Sequence, residues 1–168
     1  SLELVDDRSD NRLGDNWADS DESGKANWTT VEFTGRIDNT AVRPSALEIY
    51  LMSAGECLLA DVEVIGPAGV NLLANPSFSS GLAPWLVQGN HEASFPQSTG
   101  GLNDGPCLRV IASGGGDPAG NRIRVPLTSD ISLNTNATLR AKVRWLRGHP
   151  EILLRLHGTS PHSQDKLK

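Results

Sequence analysis

The chain is built from short runs in which apolar residues stand at every second position, the spacing that lines one face of a pleated strand. Val31 and Phe33 begin one such row, and Leu47, Ile49 and Leu51 form another with Glu48, Tyr50 and Met52 on the opposite parity. Ala60, Val62 and Val64 alternate with Asp61 and Glu63. Later rows are Leu108 with Val110, then Ile123, Val125 and Leu127 between Arg122 and Arg124, then Leu139, Ala141, Val143 and Trp145, and finally Ile152, Leu154 and Leu156. With Leu2 to Val5, a short Asn71 to Leu73 strand and the Trp85 to Phe95 segment, about ten strands are expected, and no long helical period competes. The 17 glycines and 10 prolines collect between the runs, as at Gly66-Pro67-Ala68-Gly69, Asn75-Pro76, Gly114-Gly115-Gly116-Asp117-Pro118 and Gly148-His149-Pro150. Such punctuation predicts an all-β fold of short strands and tight connections, a sandwich or barrel.

Two stretches fall outside the pattern. Residues 6–27 are polar and acid-rich, a long loop with Trp17 and Trp28 as its expected anchors, and a loop of that length usually carries a function or a ligand. Residues 159–168 have no apolar period and are expected to be a disordered tail. The expected division is therefore a lead-in strand and loop over 1–27, a module over 28–158 and the tail.

A length of 168 residues and a hydrophobic fraction of 38% are enough for one core. The net charge of −5 leaves no basic field for a phosphate backbone, so nucleic acid is not an expected partner. No run reaches the roughly 20 apolar residues of a membrane span, and membrane insertion is not expected. The start at Ser1-Leu2-Glu3-Leu4 carries no signal peptide and reads as if cut from a longer protein. Cys57 and Cys107 are open to two readings, a disulfide or two buried small apolar residues.

The run Asn71-Leu72-Leu73-Ala74-Asn75-Pro76-Ser77-Phe78-Ser79-Ser80-Gly81-Leu82-Ala83-Pro84-Trp85 resembles the opening of the carbohydrate-binding modules appended to xylanases and cellulases, which have a galactose-binding-like jelly roll. That opening reads Asn-Leu-Leu, a variable residue, Asn-Pro-Gly-Phe-Glu, then Gly and Trp. The strands at Cys107 to Val110, Asn121 to Leu127 and Thr138 to Leu146 follow in the family's order. Its closing strand, an apolar residue with Asp-Asp-Val, resembles Leu58-Leu59-Ala60-Asp61-Val62-Glu63-Val64, which here precedes the opening. Residues 28–65 are thus similar to the family's last strands and 71–158 to its first. The resemblance implies an antiparallel jelly-roll sandwich in circularly permuted order, joined through Gly66 to Gly69, in preference to the end of one module followed by the start of another. It implies a monomer in preference to a domain-swapped dimer. Ser1 to Asp6, with Asp10-Asn11 and Asn16-Trp17, also resembles the closing segment of bacterial lamin-tail-like domains. Those occur beside spore-coat-kinase-like domains in large secreted proteins, which implies an extracellular or cell-surface bacterial parent.

Sugar-binding sandwiches stack aromatic rings on pyranose faces while carboxylates, amides and Arg fix the hydroxyls. On the non-core parity Tyr50, Arg144, Arg155 and His157 are the candidate glycan-binding residues, against the alternative of a solvated outer face. Trp145 shares core parity, and Trp85 reads as the structural tryptophan of the family opening.

Calcium is the candidate cofactor at two places. Asp19, Asp21 and Ser23 alternate before Gly24 as in the first half of an EF-hand loop, but position twelve is Thr30 and no helices flank the loop. The family's own calcium site maps to Asp61 and Ser79, where Ser replaces an acid and Ala60 replaces the first Asp of the pair. No zinc spacing, phosphate loop or nucleophile elbow occurs, so no enzyme is expected. The expected function is non-catalytic binding of a poly- or oligosaccharide. The alternative is a structural or adhesive spacer whose partners are other domains of the same protein.

Overall fold

Alternation in the sequence becomes two sheets packed face to face. The computed structural model describes residues 2–4, 10–19, 26–38, 42–115, 120–149, 151–158 and 164–167. A two-stranded ribbon pairs β1 (Leu2–Leu4) with β2 (Trp17–Asp19). The remaining strands are β3 (Thr29–Arg36), β4 (Pro44–Leu51), β5 (Gly55–Ile65), β6 (Leu86–Val87), β7 (Phe95–Gln97), β8 (Cys107–Ala112), β9 (Ile123–Pro126), β10 (Asn136–Gly148), β11 (Ile152–Gly158) and β12 (Gln164–Leu167). The first sheet has the order β3-β10-β5-β8-β7 and the second β12-β11-β4-β9-β6. Every pairing is antiparallel, and the fold is an all-β sandwich.

The core rows meet between the sheets. Leu47, Ile49 and Leu51 of β4 face Leu59, Val62 and Val64 of β5, with Val110, Ile123, Val125, Leu139, Leu154 and Leu156 closing the layer. Each such side chain contributes about 1.5–3 kcal/mol when removed from water. Consecutive long strands change sheets: β4 leads to β5 through residues 52–54, and β10 to β11 through 149–151. As a result β5 lies between β10 and β8, and β4 between β11 and β9. Strands from 28–65 and from 71–158 therefore share both layers.

The outer face of the first sheet carries a second, smaller apolar cluster of Leu58, Ala60, Cys107 and Leu146, against which Trp28 and Leu102 pack. Trp85 is buried against Phe78, with ring centroids 4.9 Å apart, and donates through Nε1 to the carbonyl of Asn75 at 3.1 Å. Asn75 organises the same loop, its Nδ2 donating to the carbonyls of Gly81 and Ala83 and its Oδ1 accepting from the amide of Ser80. The distinctive residues of the Asn71 to Trp85 run thus shape a loop.

Five local expectations are corrected. Asn71 to Leu73 is no strand but two isolated bridges, to Ile65 and Leu127, because the Asn71 side chain takes over ladder bonds: Oδ1 accepts from the amides of Val64 and Leu73 and Nδ2 donates to the carbonyl of Val62. The Trp85 to Phe95 segment splits into β6, a short 3-10 turn at Gly89–His91 and β7, since Gly89 takes φ of 60° and ends the extended run. Within the acid-rich loop, Trp17 opens β2, and its indole donates to the carbonyl of Asn11 while remaining exposed. In the stretch expected to be a disordered tail, 164–167 form β12 on the edge of β11, a position that backbone hydrogen bonds alone can hold without an apolar period. Phe33, placed in a core row, is 49% exposed because β3 is an edge strand.

A bulge interrupts β5 where the register passes from Arg140↔Glu63 to Lys142↔Ala60. Asp61 occupies the extra position at φ of 47°, and the amide of Val62 bonds the carbonyl of Pro76 instead of a neighbouring strand. The left-handed region is tolerated by Asp and Gly and resisted by β-branched residues. Asp61→Gly is expected to hold stability within about 1 kcal/mol and Asp61→Val to lower it by about 1–2 kcal/mol, read from urea unfolding midpoints. Equal loss in both variants would show that the Asp61 carboxylate, not its backbone, matters.

Candidate functional site

Parity places Glu48 and Tyr50 of β4 on the face of the second sheet that looks away from the core. Arg155 and His157 of β11 and Arg122 and Arg124 beside and within β9 share that face. The register sets Glu48 opposite Arg155 on one side and Arg124 on the other. Three rows at i, i+2 spacing thus converge on one carboxylate.

Glu48 is fully buried, and both its oxygens are engaged. Oε2 accepts from the Tyr50 hydroxyl at 2.8 Å and from Arg155 Nη2 at 2.8 Å. Oε1 accepts from Arg122 Nη1 at 2.6 Å, and Arg124 Nε lies 3.9 Å away. The Arg155 guanidinium also donates to the Tyr50 oxygen and stands 5.0 Å from the ring centroid. His157 Nδ1 is 3.7 Å from Oε2. Burial alone would raise the Glu48 carboxyl. The hydrogen bonds from Tyr50 and Arg155 and the nearby charges of His157 and Arg122 outweigh it and hold the group below the usual carboxylate range. Tyr50 is pushed up to about 12 by burial and by its bond to Glu48. His157 is lowered, first by burial and then by the three arginines, against the pull of Glu48.

Of the four residues expected to bind glycan, the structure brings together Tyr50, Arg155 and His157. Tyr50 and Arg155 are buried, so they build the face and do not stand ready to meet a ligand. Arg144 belongs to the first sheet, where its Nε donates to the carbonyl of Ala26 at 3.0 Å, and its place at this face is corrected. Parity was right for Arg144, but parity does not say to which sheet a strand belongs. Sequence reasoning passed over Glu48, Arg122 and Arg124. Arg122 and Arg124 keep 19% and 36% of their side chains exposed and form the accessible rim with His157.

Two further charged groups are accounted for by their partners. Glu56, on the outer face of the first sheet, is buried between Arg109, at 2.5 Å, and Arg147. A groove beside the bulge, lined by Thr30, Glu32, Asp61, Glu63, Arg140 and Lys142, is crossed by ion pairs from Arg140 to Glu32 and Glu63. The donors around Asp61 do not fit calcium: Arg140 and Lys142 line the same groove, the Asn71 amide is committed to backbone, and Ser79 lines a different recess with Phe78 and Pro96. No group of three or more His, Cys, Asp or Glu side chains suited to a metal occurs among the described residues. Asp21 and Ser23 lie outside the described residues, and of Asp19 only the backbone is described, in β2. Cys57 and Cys107 are free thiols. No helix among the described residues is long and apolar enough to cross a membrane.

No family model, no curated protein and no solved structure matches this chain.

Removing one member of a buried ionic cluster leaves the others unpaired, so Glu48→Ala is expected to cost about 3–5 kcal/mol in urea unfolding. A loss below about 1 kcal/mol would mean that the arginines find other partners. His91, in the 3-10 turn after β6, is buried against the end of β4 with Nε2 accepting from the amide of Leu51 at 3.0 Å, and burial lowers it to about 4. Its folded value lies below the unfolded one near 6.5, so the stability it contributes is complete above about pH 6.5 and falls by about 2–3 kcal/mol as pH drops toward 4. Unfolding midpoints at pH 7.5 and pH 4.5 should show this slope, and His91→Gln should flatten it.

Proposed function

We propose that this domain is a non-catalytic carbohydrate-binding module whose ligand lies on the outer face of the second sheet, over Glu48. The single observation that carries the reading is the convergence of Arg122, Arg124 and His157 around an immobilised carboxylate. Exposed arginines on a flat surface lose side-chain freedom when they bind, about 1–2 kcal/mol each. Arg122 is already held, by Glu48 and by the Gln88 side chain, so its remaining donors are presented at little further entropic cost. A central sheet strand flanked by two others makes a rigid platform of the length an oligosaccharide needs. The resemblance of the Asn71 to Trp85 run to cellulase- and xylanase-associated modules, with their jelly roll, supports the same reading, as does the absence of nucleophile and zinc motifs. A secreted, multidomain parent is consistent with it.

One observation favours a spacer that binds no sugar. Tyr50 is buried, and the exposed aromatics Trp17, Phe33 and Phe95 belong to other strands, so among the described residues this face has no ring for a pyranose to stack on. A glycan array separates the two. Binding that Arg124→Ala reduces at least 10-fold and Arg144→Ala leaves unchanged is expected for the module, whereas a blank array with a folded protein identifies the spacer.

A further inference from the structure

We infer that the face over Glu48 selects an acidic oligosaccharide, with a uronate carboxylate seated between Arg122 and Arg124. The inference rests on the reading of that face as the glycan-binding surface and adds the chemical class of its ligand.

The argument starts from the missing ring. Neutral sugars are held in sandwiches by stacking on aromatic faces together with hydrogen bonds, because hydroxyl contacts alone barely exceed the water contacts they replace. With Tyr50 beneath the Arg155 guanidinium, stacking is not on offer here. Charge is. Oε1 of Glu48 is shared by two guanidiniums, Arg122 at 2.6 Å and Arg124 at 3.9 Å. Oε2 is occupied by Tyr50 and Arg155. One carboxylate oxygen cannot satisfy both forks of Arg122 and Arg124, and the more distant of the two is also the more exposed. Arg122, just before β9, and Arg124, within it, both reach the same Glu48 oxygen and so share one face. A planar carboxylate accepts two parallel N–H donors from a guanidinium, and such charge-assisted pairs are about twice as strong as neutral hydrogen bonds.

Glu48 sets the polarity of the site as well as its geometry. Being buried and held ionised, it cancels one positive charge beneath the surface, while Arg124 remains available above it. A second acid arriving from solvent completes the pairing that the protein begins. The net charge of −5 spread over the rest of the chain does not favour anions generally, so selection depends on this local arrangement.

The test is calorimetric titration with a panel of galacturonate, glucuronate and mannuronate oligosaccharides, each beside its methyl ester, which keeps the backbone and removes the charge. The expected result is that at least one acid binds, that its ester binds at least 10-fold more weakly, and that raising salt weakens the acid alone. Arg124→Gln, whose contact with Glu48 is long enough for the fold to persist, should reduce acid binding about 10-fold or more with unchanged thermal unfolding. Equal binding of acid and ester would overturn the inference and leave the glycan-binding reading in place. Acid binding indifferent to Arg124→Gln would overturn the assignment to this face. If no acid binds while neutral glycans on the array do, the inference fails alone; if nothing binds on either, both fail.

Discussion

A carboxylate without water must be surrounded by donors, and the second sheet is arranged around that requirement. Glu48 stands on the central strand β4, where each neighbour can deliver an arginine: β11 supplies Arg155, and β9 supplies Arg124, with Arg122 just before it. Taking a charge out of water costs several kcal/mol, and only a full set of charge-assisted bonds offsets it. The cluster therefore specifies register. A slip of one residue in either flanking strand would turn an arginine into the core and take a partner from Glu48, so the cluster adds to the register that apolar alternation already specifies.

The first sheet follows a different rule. Its outer face is held by small apolar contacts around Leu58, Ala60, Cys107 and Leu146, closed by Trp28 and Leu102, and its charges pair locally, as Glu56 does with Arg109 and Arg147. The bulge at Asp61 switches the parity that faces the core part-way along β5: Cys57 and Leu59 point inward before it, Val62 and Val64 after it. Without the extra residue one half of this 11-residue strand would bury polar side chains.

Much of this was legible in the sequence, since period-2 alternation reads directly which residues face inward. Leu47, Ile49 and Leu51, or Ile123 and Val125, could be assigned to the core without coordinates. The all-β class follows from those rows and from the glycine and proline turns between them. The neighbours of each strand were not legible. Glu48 and Arg155 are more than a hundred positions apart in the chain, and nothing local says that β4 lies between β9 and β11. Parity alone therefore groups Tyr50, Arg155 and His157 with Arg144 of the other sheet, and gives no sign that Glu48 joins the first three. Edge effects were equally hidden: Phe33 has core parity and β12 has no apolar pattern, and in both cases position at the border of a sheet decides the outcome.

Cys57 and Cys107 stand on adjacent strands, close in register, yet one side chain enters the main core and the other the outer cluster. A sheet separates their sulfurs, so they cannot join without turning a strand over. Each thiol, its ionisation pushed up by burial, reports on a different layer of the protein. A modifying reagent that reached Cys107 but not Cys57 would reveal that Trp28 and Leu102 had lifted from the outer cluster while the two sheets were still closed.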